Sequence, residues 1–213
     1  KVMSSKIFLF STLFCASLLY SSTIAQTNSD EPINNAGMFS LGVRNTLSLF
    51  NSHEAASFGA GGHFRIQLSD RVNTEWFADF IKSSTQDLGR TDYHIGWSVM
   101  YYVLNPAKTK IVQPYIEAGH CFDYTQLRIT SNNLSKDRWS SAMQMGIGVH
   151  FHISSRFDIT LKSQYMLHLG GHLHAHKDIN GVYEISEHEG FEAEGHLLNT
   201  ISLNYKIGRI WKR

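Results

Sequence analysis

The sequence predicts an all-β fold: an eight-stranded antiparallel up-and-down transmembrane β-barrel. Three observations carry this. Eight segments between Met38 and Ile207 alternate large apolar residues with small or polar ones at a period of two, the repeat of a strand. The links between them are short on one rim and longer on the other. The apolar face also carries more aromatic volume than the interior of so narrow a barrel can hold.

The segments run in order. Met38–Phe50 sets Phe39, Leu41, Val43, Leu47 and Leu49 against Ser40, Gly42, Arg44, Thr46 and Ser48. The second opposes Phe58, Ala60, Phe64, Ile66 and Leu68 to Gly59, Gly61, His63, Arg65 and Gln67. The third sets Val72, Thr74, Trp76, Ala78 and Phe80 against Asn73, Glu75 and Asp79. The fourth sets Tyr93, Ile95, Trp97, Val99, Tyr101 and Val103 against His94, Gly96 and Ser98. The fifth, Ile111 to Gln126, opposes Ile116, Ala118, Phe122 and Tyr124 to Gln113, Glu117, Gly119 and Asp123. The sixth, Trp139 to Ile153, has Gly146, Gly148, His150 and His152 on its polar side. The seventh, Phe157 to Leu169, has Asp158, Thr160, Lys162 and Gln164 there. The eighth, Leu197 to Ile207, opposes five apolar residues to Thr200, Ser202, Asn204 and Lys206.

Short links follow segments two, four and six, at 69–71, 105–110 and 154–156. Longer polar links follow three, five and seven, at 83–91, 127–137 and 170–194. Short periplasmic turns and longer extracellular loops are the pattern of barrels in the outer membrane.

Volume decides which face points inward. Trp76, Trp97, Trp139 and a dozen Phe and Tyr share the apolar face, whereas Gly42, Gly59, Gly61, Gly96, Gly119, Gly146 and Gly148 share the other. The large apolar face therefore meets lipid, with aromatic girdles at both rims. By the same parity Arg44, His63, Arg65, Glu75, Asp79, Glu117, Asp123 and Lys162 point into the lumen, with Phe77, Tyr102 and Tyr115 among them. A tight turn at 69–71 sets Arg65 opposite Glu75 as an ion pair. The expected lumen is plugged by these side chains.

Composition excludes other classes. The chain has 19 Lys+Arg against 18 Asp+Glu, a net charge of +1, so no basic excess exists to bind nucleic acid. Residues 1–25 have the layout of a secretory signal peptide: Lys1 and Lys6, an apolar run from Ile7 to Tyr20, then Thr23-Ile24-Ala25 before Gln26. That run is shorter than the ~20 residues of a spanning helix. Cleavage removes Cys15 and leaves Cys121, so no internal disulfide can form. Residues 26–37 read as a flexible lead, 38–208 as the barrel and 209–213 as a tail.

Gln113-Pro114-Tyr115-Ile116-Glu117-Ala118-Gly119 resembles the P-[YF]-[IV]-x-[AL]-G fifth strand of small bacterial outer-membrane barrels, the OmpA-transmembrane-domain and OmpX-like porin fold. The resemblance implies location in the outer membrane of a Gram-negative bacterium, among lipid and lipopolysaccharide, with a structural or surface-interaction role and a possible extracellular ligand at the loops. Such barrels end on an aromatic residue; here Trp211 is followed by Lys212 and Arg213. The same stretch, with Leu203-Asn204-Tyr205-Lys206-Ile207, also looks like lipid A deacylase barrels of the PagL type, which would make the chain a lipid-modifying enzyme. Their seventh strand carries H-x-S-N, in which a histidine activates the serine nucleophile. Here His168 is followed by Leu169-Gly170-Gly171 without a serine, and His152-Ile153-Ser154 abuts a short turn. This departure argues against enzyme activity.

Twelve histidines are an excess for this length, and His168, His172, His174, His176, His188 and His196 cluster around the last long link. Asn180-Gly181 marks a hairpin turn there. A two-residue turn pairs Ile179 with Val182, which sets His174 opposite Glu187, His172 opposite Glu189 and Lys177 opposite Glu184. His172, His174, His176, Glu187 and Glu189 are thus candidate ligands for zinc, nickel or copper, and the chain a candidate metal-binding surface protein. No other cofactor motif is present.

Overall fold

The computed structural model describes residues 35–50, 56–84, 87–106, 111–131, 133–170, 172–177, 183–188 and 195–211. The signal-peptide reading and most of the predicted lead lie outside them. The strands are β1 (Met38–Phe50), β2 (Ser57–Gln67), β3 (Val72–Ser84), β4 (Leu88–Tyr102), β5 (Val112–Ile129), β6 (Leu134–His152), β7 (Phe157–Leu169), β8 (His172–Lys177), β9 (Tyr183–His188) and β10 (Gly195–Arg209). Eight of them close a barrel in the order β1-β10-β7-β6-β5-β4-β3-β2, and β8 and β9 form a separate two-stranded ribbon. Each barrel strand pairs antiparallel with its neighbours, and a register shift between Phe39 and Ser40 interrupts the β1–β10 seam. Among the described residues no helix is present, and none is long and apolar enough to cross a membrane.

The predicted faces are observed. Val43, Phe58, Trp76, Ile95, Ile116, Met145, Ile147 and Ile201 are exposed on the outer wall, while most side chains of the polar rows, Arg44, Arg65, Glu75, His94, Asp123 and Lys162 among them, are buried. Closure explains this inversion of a water-soluble core: a bilayer solvates the apolar wall, and the small residues fit the narrow inside. The aromatics form belts. Phe80, Tyr93, Tyr124 and Trp139 touch in sequence across four strands, at 5.1, 5.9 and 5.0 Å between ring centroids. Near the other rim Phe157 packs on Tyr205 at 4.9 Å, and Arg156 Nη1 donates to the Tyr205 hydroxyl at 2.9 Å.

Two of the short turns at this rim, those at 69–71 and 154–156, use one device. Ser69 Oγ accepts from Val72 N at 3.2 Å, and Ser154 Oγ accepts from Phe157 N at 3.0 Å. A serine hydroxyl thereby satisfies an amide that the ladder cannot reach. At Gly148, paired with Tyr115, the Tyr115 ring occupies the space a Cβ would take, so only glycine admits it.

Four boundaries differ from expectation. The links at 83–91 and 127–137 are mostly strand: β3 and β4 are separated by 85–87, and β5 and β6 by 130–133, with Asn133 at φ 54°. In the upper part of β5 the inward row turns apolar, with Leu127 and Ile129 buried and Arg128 exposed, so the polarity that marks the lumen row in sequence reverses while the ladder continues. The last barrel strand begins at Gly195 rather than Leu197 and runs to Arg209, through the start of the predicted tail. The end of the predicted flexible lead is a turn fastened to both neighbours. Gly37, at φ 81°, donates to Gln67 O at 2.8 Å and accepts from Ile210 N at 2.9 Å.

Candidate functional site

The lumen is built in three tiers, counted from the rim of the short turns. The lowest is ionic. Glu75, on β3, receives Arg44 Nη1 at 3.1 Å, Arg65 Nε at 2.8 Å and Lys162 Nζ at 2.8 Å. Arg65 also reaches Asp158 at 3.1 Å, Arg44 reaches Asp79 at 3.0 Å, and Lys162 reaches Glu117 at 3.4 Å. The β2–β3 register sets Arg65 opposite Glu75, the pair the tight turn predicts. Below, the Tyr102 hydroxyl accepts from Asn73 Nδ2 at 2.8 Å and donates to Gln67 Oε1 at 3.3 Å. Tyr115 stacks on His150 at 4.5 Å. All eight residues placed inward by parity are buried here or just above. Charges taken from water persist only when paired in this way.

The middle tier is apolar. Phe77, Ile81, Cys121, Ala142, Met166 and Leu198 pack into one buried cluster. Arg44 lies over the lower face of this tier, 4.4 Å from the Phe77 ring centre.

The upper tier is built around Asp123 on β5. Its Oδ1 lies 3.2 Å from His94 Nε2 on β4, and its Oδ2 lies 3.2 Å from His168 Nδ1 on β7. Ser140 donates its hydroxyl to Oδ2 at 3.3 Å, and Thr125 Oγ1 lies 3.3 Å from the same oxygen. The His196 ring, on β10, sits 4.9 Å from that of His168 and 5.7 Å from that of His94. Asp92 stands above, paired with Arg90 at 3.0 Å and accepting from Thr125 at 2.7 Å. The sequence reading missed this convergence. It assigned His168 and His196 to the histidine-rich link, although both share the inward parity of their strands. Extending the last strand by two residues brings His196 into the lumen row.

The ribbon exists, with a different register. His172 pairs with His188, Leu173 with Glu187, His174 with Ser186 and His176 with Glu184. Glu187 therefore stands opposite Leu173 and not His174, and Lys177 stands opposite Tyr183 and not Glu184. The strands close at Lys177 and Tyr183, leaving five residues between them where a two-residue Asn-Gly turn predicts an even count. That shifts every pairing by one. Glu189 lies outside the described residues. Among the described residues no group of three or more His, Cys, Asp or Glu side chains could hold a metal ion.

The deacylase constellation is not assembled at the expected places. His168 faces Asp123 inside the barrel, and Ser154 is engaged by the turn amides of Arg156 and Phe157. A serine–histidine contact does occur on the outer wall, His120 Nε2 with Ser141 Oγ at 2.5 Å. Among the described residues no carboxylate pairs with that ring to complete a triad.

The comparisons with known proteins agree with this architecture. Residues 12–206 match the family model described as outer membrane protein beta-barrel domain. The crystal structure of Neisserial surface protein A superposes with a TM-score of 0.59 at 12% identity, covering 81% of this chain and 98% of that one. A major outer membrane protein from Thermus thermophilus gives 0.50 at 11% identity, covering 79% and 99%. Ail of Yersinia pestis, crystallised with the heparin analogue sucrose octasulfate, gives 0.50 at 10% identity, covering 80% and 97%. No curated protein matches the sequence. With a lipid-facing wall, a closed antiparallel barrel and a family match over nearly its whole length, the chain belongs to the outer membrane protein beta-barrel domain family and is a protein of the bacterial outer membrane.

Proposed function

We propose that this barrel serves a Gram-negative envelope as a structural and surface-interaction protein whose lumen does not conduct. The observation that carries this reading is the ionic tier. Glu75 alone gathers three buried cations from β1, β2 and β7, so side chains bridge the inside from wall to wall. Above it the cluster of Phe77, Ile81, Cys121, Ala142, Met166 and Leu198 fills much of the lumen with hydrocarbon. Interaction then falls to what stands beyond the lipid: the extended β5–β6 hairpin and the β8–β9 ribbon, beside lipopolysaccharide.

The test is to refold the full chain in detergent and reconstitute it into planar bilayers. Heat-modifiable migration on a denaturing gel, with no sustained conductance, is the expected result; steady single-channel currents overturn the closed-lumen reading. Tags inserted between β8 and β9 should be labelled on intact cells, whereas one at Ser155 should not. The reverse result inverts the orientation.

A second role, transition-metal capture by the ribbon, is favoured by its register, which sets His172 opposite His188 and His176 opposite Glu184. Zinc calorimetry on wild type and on a His172→Ala/His174→Ala variant tests it, and equal affinity in the two overturns it.

A further inference from the structure

The lipid-facing wall is not purely apolar. Between the aromatic belts, two of its polar side chains are satisfied within the barrel: Thr74 donates its hydroxyl to Ile66 O at 3.1 Å, and His120 contacts Ser141 at 2.5 Å. Asn45, Ser163 and Asn199 differ. Their chain neighbours Arg44 and Thr46, Lys162 and Gln164, and Leu198 and Thr200 are buried in the lumen row, so all three face outward. Among the described residues their side chains make no hydrogen bond.

Depth makes this costly. Each of the three stands six residues along its strand from an aromatic residue at the lower rim: Asn45 from Phe39, Ser163 from Phe157 and Asn199 from Tyr205. At about 3.3 Å per residue and a strand tilt of about 40°, that is roughly 15 Å above the rim, near the middle of an apolar band about 25 Å tall. The register joins them into one row across β7, β10 and β1. Ser163 pairs with Asn199, and Asn199 pairs with Leu47, two residues along from Asn45. Hydrocarbon at this depth supplies neither water nor a lipid oxygen, so an amide there needs its hydrogen bond from another protein surface. Ser163 and Asn199 also stand at the upper end of a groove of about 730 Å³ in the same wall, where Ile116, Ile147, Leu161 and Ile201 are exposed.

We propose that the outer face of β7, β10 and β1 is where two copies of this chain associate in the membrane, with Asn45, Ser163 and Asn199 hydrogen-bonding across a two-fold axis along the bilayer normal. Depth and chemistry identify the occupant. Such an axis keeps every residue at its own depth, so the polar row of one copy meets the same row of the other. An Asn amide carries donors and an acceptor, and a Ser hydroxyl carries both, so the row is complementary to itself. Asn and Ser join membrane-spanning segments to one another in this way. An acyl chain fills the groove but leaves the amides without partners. His120, already in contact with Ser141, needs no second copy. The surface is separate from the lumen, so the closed-lumen reading does not depend on it.

The experiment follows the full chain, refolded in detergent, by sedimentation equilibrium in density-matched micelles. The expected result is a monomer–dimer equilibrium that shifts with the protein-to-detergent ratio. Asn45→Leu/Asn199→Leu should weaken association at least tenfold. That change replaces polar groups on the lipid wall by hydrocarbon, so the variant should unfold in urea no earlier than wild type. Heat-modifiable migration confirms that each variant is folded, and Asn199→Leu alone decides the matter should the double variant not fold. Ile95→Ala, exposed on β4 across the barrel from β10, should leave association unchanged. A wild type that stays monomeric at every ratio overturns the proposal and leaves the groove to acyl chains. Association unchanged in the folded Leu variants, or assemblies larger than a dimer, overturns it as well.

Discussion

The two polar tiers of the lumen answer one problem, carboxylates inside a narrow barrel, with different chemistry. Below, Glu75, Asp79, Glu117 and Asp158 meet Arg44, Arg65 and Lys162 at 2.8–3.4 Å. Arg keeps its charge at every accessible pH, so this tier is a permanent brace between strands distant in sequence. Above the apolar layer, Asp123 meets two histidines at 3.2 Å, with a third imidazole beside them. An imidazole takes or gives up a proton near neutrality. The lower tier is therefore held by fixed charges, and the upper tier by groups whose charge is not fixed.

The sharpest way to break this comparison is Glu75→Ala. It removes one carboxylate partner from each of three buried cations, and stability against urea in detergent should fall by about 3–5 kcal/mol, the cost of breaking a buried pair. A loss below about 1 kcal/mol would show that the brace is not one. Next is the layer between the tiers. Met166→Ala should cost about 2–4 kcal/mol as a buried large-to-small change. Conductance appearing in that variant, but not in wild type, would identify the apolar tier as the seal. Asp123→Asn should cost less, about 1–2 kcal/mol, since its partners can stay neutral and amide hydrogen bonds replace part of the contact. Equal losses for Asp123→Asn and Glu75→Ala would erase the distinction between the tiers. The smallest effect belongs to Lys206→Ala at the lower rim. Its ammonium is 3.8 Å from Asp158 and partly exposed, and the change should stay within about 1 kcal/mol.

The outer wall offers an independent contrast with the lumen. Trp97→Arg, exposed toward lipid beside Trp76, should cost about 2–4 kcal/mol when the barrel sits in a bilayer. A neutral outcome there would mean that the wall does not meet hydrocarbon at that height.

The sequence by itself determined the strand count, the pairing order and the face each residue takes. A period of two is local, and a barrel has one inside. Even Arg65 opposite Glu75 was legible, because a tight turn sets register across two neighbouring strands. Only the tertiary structure decided the rest. At the upper end of β5, Leu127 and Ile129 are buried beside an exposed Arg128, the reverse of the polarity below, so an alternation keyed to a polar lumen row does not reach there although the ladder persists. The ribbon slips by one residue because its register depends on the length of the connection closed between Lys177 and Tyr183. His94 faces Asp123 across the neighbouring strands β4 and β5, but His168 and His196 join them from β7 and β10, far apart in the chain, and no local spacing encodes a contact made only once the sheet has closed and brought those strands across the lumen.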